Sequence, residues 1–121
     1  MSAPTAAYPS SERMSLLATT VTLIVADPAK SADFFVAHFG FQMKLTFDGG
    51  AAVEHPDGGS TLFFLREGLP VLARSLCQGR TQGLILAFTV ADIEAEVARL
   101  GRGGVAWDSD IEQDDWGERH A

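Results

Sequence analysis

The chain has little cysteine, few cations and no long apolar run. Its one cysteine, Cys77, excludes an internal disulfide and a cysteine-built zinc cage. That usage suits a reducing, cytoplasmic setting, with Cys77 read as a small residue near a loop. Nine Lys and Arg stand against 16 Asp and Glu, for a formal net charge of −7. Scattered cations in an acidic chain exclude nucleic acid and anionic membranes as partners, because phosphate binding needs clustered Lys and Arg. No apolar run reaches the roughly 18 residues of a membrane span. The first 13 residues are rich in Ala, Pro and Ser and lack the basic and apolar segments of a secretory signal. Residues 1–15 therefore read as a flexible leader or arm. The remainder, 16–121, is long enough for one domain with a single core, and 46% hydrophobic residues exclude disorder.

What is present is a unit written twice. Val25-Ala26-Asp27 and Val90-Ala91-Asp92 each follow a β-branched, apolar run, and each precedes a helical stretch ending at glycine. A period of roughly 65 residues is too long for a solenoid and suits two tandem half-domains. The seam between two such halves is where a small-molecule site is expected.

The first half reads βαβββ. Residues 16–26 have the β-branched density of a strand. Asp27 caps a helix that has Pro28 at its first position and Gly40 as its left-handed end. Ala32, Phe35, Val36 and Phe39 make one apolar stripe on it. Strands are expected at 41–47, 51–55 and 60–66, with turn chemistry at Asp48-Gly49-Gly50 and Pro56-Asp57-Gly58-Gly59. Residues 67–82 connect the halves, with a helical turn at 71–76. The second half offers a strand at 84–90, a helix at 93–101 capped by Asp92, and a strand at 105–109. It looks unfinished: by symmetry one or two more strands should follow Arg119, and an uncovered edge invites association.

The run Val21-Thr22-Leu23-Ile24-Val25-Ala26-Asp27, then Ser31, Phe34-Phe35 and Phe39-Gly40-Phe41, resembles the opening of the vicinal oxygen chelate superfamily. That group includes glyoxalase I, extradiol dioxygenases and bleomycin-resistance proteins. Val90-Ala91-Asp92-Ile93, Gly103-Gly104-Val105 and Trp116-Gly117-Glu118-Arg119 are similar to its second module. The resemblance covers residues 16–121. It implies an α+β fold of two tandem βαβββ modules, here 16–70 and 83–121, whose curved mixed sheets surround a shared cavity in a homodimer. The family's closing segment, an Asp-Pro-x-Gly turn and a last strand, is absent from this sequence.

Metal-dependent members of the family place His, Gln or Glu on the inner face of the curved sheet. The resemblance puts those positions at Thr20, at Phe63 or Phe64, and at Ile85. Thr is a poor ligand, and Ile and Phe cannot coordinate. His38 falls on the helix, and His120 is nearly terminal. His55 adjoins Glu54, so the two project to opposite faces of a strand. The expectation is no metal and no cofactor.

What remains is an apolar cavity with Thr20, Phe63 or Phe64, and Ile85 pointing inward. Trp107 and Trp116 offer flat stacking surfaces or fill core space. Arg119 and Glu118 are either polar anchors at its mouth or a solvated strand end. Asp108, Asp110, Glu112, Asp114 and Asp115 form an acidic loop that attracts cationic ligands or is merely solvated. The expected function is metal-free binding of a small, planar hydrophobic or aromatic molecule by a homodimer, as in drug sequestration. The alternative is a lyase or dioxygenase-type enzyme acting on a small carbonyl or aromatic substrate.

Overall fold

The computed structural model describes residues 13–70, 78–108, 111–113, 115 and 119–121. Its architecture is α+β, with one mixed four-stranded sheet and two helices. The first half is βαβββ: β1 (Thr20–Val25), α1 (Pro28–Phe39), β2 (Gln42–Phe47), β3 (Gly50–Glu54) and β4 (Thr61–Arg66). Strand order is β1-β4-β3-β2, with β1 and β4 parallel and the other pairs antiparallel. Strand β1 starts at Thr20 rather than at 16, and Leu16 and Leu17 are exposed.

Register sorts the side chains into two faces. Val21, Leu23, Leu62, Phe64, Ala51 and Val53 face α1 and join Ala32, Phe35, Phe39 and Phe41 in the main core. Val36, at the margin of the helical stripe, is largely exposed. On the opposite face Ile24, Leu65, Leu69 and Phe63 form a smaller cluster. Strand β2 is exposed along its whole length. A register shift between Met43 and Leu45 leaves Lys44 unpaired in the ladder, and a bulge with a lysine discourages pairing at a sheet edge.

Helix α1 is bounded as its sequence dictates. The Asp27 carboxylate accepts from the Lys30 N–H at 3.2 Å. Gly40 takes the left-handed conformation, with φ of 76°, and its N–H returns to the Phe35 carbonyl. Helix α2 (Ile93–Arg102) repeats the start, with Asp92 accepting from Ala95 N–H at 3.0 Å. It runs one residue beyond the expected Gly101. Glu94 and Glu96 in its first turn and Arg99 and Arg102 in its last complement the helix dipole.

The rest of the second half departs from the expected repeat. Residues 84–90 form no strand, and neither do 105–108. Only β5 (Glu112–Gln113) pairs with β6 (Arg119–His120), antiparallel. The apolar run at 84–90 brings two side chains to the core without joining a ladder. Leu86 packs on the main core and Phe88 lies against the aromatic rings there. Meanwhile Thr81 meets the outer edge of β1: Ile24 N–H donates to Thr81 Oγ1 at 2.7 Å and Thr81 N–H donates to the Ile24 carbonyl at 2.9 Å. The helical turn expected at 71–76 lies outside the described residues, as does Cys77. Among the described residues, no helix is long and apolar enough to cross a membrane.

Candidate functional site

The aromatic residues of the first half converge on the seam. The adjacent Phe34 and Phe35, and Phe39 four residues after Phe35, project from α1, and Phe41 follows directly on the cap. Phe35 stacks on Phe64 (centroids 5.5 Å apart) and meets Phe41 edge to face at 5.5 Å. Phe88 arrives from the seam segment 84–90, at 5.5 Å from Phe39, 5.8 Å from Phe41 and 6.4 Å from Phe35. Such separations suit tilted and edge-to-face aromatic pairs.

Two clefts open along this seam. The first, about 680 Å³, has Val21, Leu62, Phe39, Phe41 and Phe88 as its apolar wall. Its rim carries the β3–β4 turn, from His55 to Ser60, and Thr89, Glu96 and Arg99. The second, about 540 Å³, lies between α1 and α2 and is lined by Phe34, Phe39, Ile85, Phe88, Ile93, Val97, Leu100 and Trp107, with Arg119 at its edge. Both fall within the size range of small-molecule sites.

The charged groups at the rims are already paired. Arg99 donates to Glu96 Oε2 from Nε at 3.0 Å and from Nη2 at 2.6 Å. Arg119 donates to Glu94. His55 is also engaged at both ring nitrogens. Its Nε2 lies 3.0 Å from the Phe39 carbonyl, and its Nδ1 lies 3.1 Å from the Asp57 backbone N–H. The Asp57 N–H makes Nδ1 the acceptor and leaves Nε2 to donate to the Phe39 carbonyl. His55 thus ties the end of α1 to the β3–β4 turn and has no nitrogen left for chemistry. Among the described residues no buried side-chain nitrogen or oxygen lacks a hydrogen-bond partner.

The residues singled out from the sequence fall into three places. Ile85, Trp107 and Arg119 share the second cleft, with Ile85 88% exposed. Thr20 and Phe63 lie on the sheet face opposite α1 and line neither cleft. Phe64, the other member of the adjacent pair, is 2% exposed and sealed in the core under α1. Trp116, Glu118, Asp110 and Asp114 lie outside the described residues, while Asp108, Glu112 and Asp115 are exposed. The sequence reading missed Phe34, Phe39, Leu86 and Phe88 as cleft walls. Part of their signal was available: Phe39 on the stripe of α1, and Leu86 and Phe88 in the apolar run at 84–90.

The described residues at the family's chelate positions do not fit a metal centre of that type. Thr20, Phe63 and Ile85 bring no coordinating set, and among the described residues no three His, Cys, Asp or Glu gather.

Residues 17–121 match the Glyoxalase/Bleomycin resistance protein/Dioxygenase superfamily. The chain belongs to that superfamily. Its members in solved structures share the fold at low identity. A glyoxalase/bleomycin resistance protein/dioxygenase from Nocardioides aligns with a TM-score of 0.66 at 21% identity, over 91% of this chain and 77% of that one. TioX from Micromonospora sp. ML1 aligns at 0.59 and 21% identity, over 84% of each chain. A protein from the mobile metagenome of V. Pseudocholerae aligns at 0.59 and 20%, over 87% and 81% respectively. No curated protein matches the chain.

Proposed function

We propose that this member of the superfamily is a metal-free binding protein for a planar, hydrophobic small molecule, acting by sequestration. One observation carries the reading: Phe34, Phe39, Phe88 and Trp107 surround the second cleft. No buried polar group waits there for a partner. A site built to grip a polar substrate leaves such groups unpaired when empty. The paired state of His55, Glu96 and Arg99 favours binding over acid–base catalysis, which needs a group free to move a proton.

Burial of one ring system at about 25 cal/mol per Å², less the cost of association, gives affinities from millimolar to micromolar. The net charge of −7 favours neutral or cationic ligands over anions. Titration of aromatic cations, neutrals and anions, followed by tryptophan fluorescence, tests this. The expected order puts neutrals and cations ahead of anions, with Trp107→Ala weakening all of them. A preference for anions, or binding unaffected by Trp107→Ala, refutes it.

The same reading includes a homodimer. Leu45, Phe47 and Phe63 leave apolar surface on the sheet face opposite α1, and Phe47 and Phe63 already contact one another at 5.9 Å. A second copy covers that face. Sedimentation giving only the 12.9 kDa monomer at micromolar concentration contradicts this part.

A further inference from the structure

The two clefts are neighbours with a common partition. Phe39, Leu86, Ala87, Phe88, Val90 and Glu96 line both. The chemistry on the two sides differs. The second cleft is walled by rings and aliphatic side chains. The first carries two hydroxyls from different segments: Ser60, at the end of the β3–β4 turn, and Thr89, on the seam segment. Among the described residues neither hydroxyl has a hydrogen-bond partner, whereas Arg99 and Glu96 of the same rim are paired. At the partition stands Phe88, 47% exposed, which lines both clefts and packs against the Phe39 and Phe41 rings.

The geometry points to a two-lobed ligand: an aromatic lobe in the second cleft, joined past Phe88 to a non-anionic, hydrogen-bonding lobe that meets Ser60 and Thr89 in the first. This deepens the function proposed above and rests on it. An anionic lobe is disfavoured because Arg99, the cation of the first cleft, is already paired with Glu96, and Asp57 adds a carboxylate to the rim. A hydroxyl- or amide-bearing lobe gains two donors or acceptors that are otherwise left to solvent.

Two probes test this, chosen to share a ring and an ether oxygen. One is 2-methoxynaphthalene, the aromatic lobe alone. The other is 2-naphthyl β-glucoside, which adds an uncharged polyhydroxyl lobe. Binding to the full chain is read by naphthalene fluorescence anisotropy. The glucoside is expected to bind about tenfold more tightly. The double variant Ser60→Ala/Thr89→Val should erase most of that advantage while leaving methoxynaphthalene unchanged, and Trp107→Ala should weaken both. Unaltered methoxynaphthalene binding also reports that the double variant is folded. Methoxynaphthalene that binds while the glucoside shows no advantage overturns the two-lobed ligand and leaves the planar-ligand reading standing. An advantage that survives the double variant overturns it as well. Failure of both probes to bind removes both readings.

Discussion

Phe63 and Phe64 are neighbours in the chain with opposite fates, and truncating each in turn measures the difference. Phe64 is 2% exposed, stacks on Phe35 and pairs in register with Ala51 and Leu23 under α1. Removing a fully buried phenyl ring costs the transfer free energy of its atoms plus the cavity left behind, about 3–5 kcal/mol for Phe→Ala. Ala51 and Ala32 flank the site with methyl groups that cannot fill such a space, so the upper part of that range applies. Phe63 is half-buried on the open face and loses about 1–2 kcal/mol, since much of its ring already meets water. A domain of this size has about 5–15 kcal/mol in total, so Phe64→Ala removes a large share and lowers Tm by roughly 10–20 °C. Urea unfolding followed by far-UV circular dichroism, repeated over a dilution series, gives both values. Any part of the Phe63 cost that grows with protein concentration belongs to the interface between copies. Equal costs at high dilution, or a larger one for Phe63→Ala, refute the assignment of faces.

The duplicated caps give a second test: Asp27→Ala and Asp92→Ala should each cost about 1 kcal/mol in urea unfolding, because each leaves one first-turn N–H without its carboxylate. Gly40→Ala should cost more than a typical surface change, about 1–2 kcal/mol, since φ is 76° and the new Cβ would sit 3.3 Å from His55 Nε2. His55→Leu should destabilise by about 1–3 kcal/mol through the Phe39 carbonyl it leaves unpaired, with no specific loss of planar-ligand affinity once folding is accounted for. By contrast, Glu94→Gln should shift the unfolding midpoint by less than about 1 kcal/mol, because its pair with Arg119 is solvent-exposed.

The first half was legible because each signal there is local. Asp-Pro at the start of α1, glycine at its end and Asp-Gly turns between strands act within a few residues. The faces of β4 were not legible from its own residues. Leu62, Phe63, Phe64 and Leu65 are all apolar, so only the register against β1 and β3 decides which of them meets α1. The seam segment misled for a related reason. The apolar run at 84–90 brings side chains to the core, and Leu86 and Phe88 pack there. It does not supply hydrogen-bonding partners, which must come from another part of the chain. The cleft walls were hidden because Phe34, Phe39 and Phe88 come from segments whose meeting is a tertiary event.

Strand β4 lies between β1 and β3, and its parallel partner Thr20 is about forty residues upstream of Thr61. During synthesis, β2 and β3 can form a hairpin as soon as they emerge, while β1 has no mate until Arg66 has been made. The first strand to leave the ribosome is therefore among the last to be paired, and α1 must hold its place by packing alone. A nascent chain halted just before residue 61 should expose the apolar side chains of β1 to chaperones, and release of six more residues closes that window.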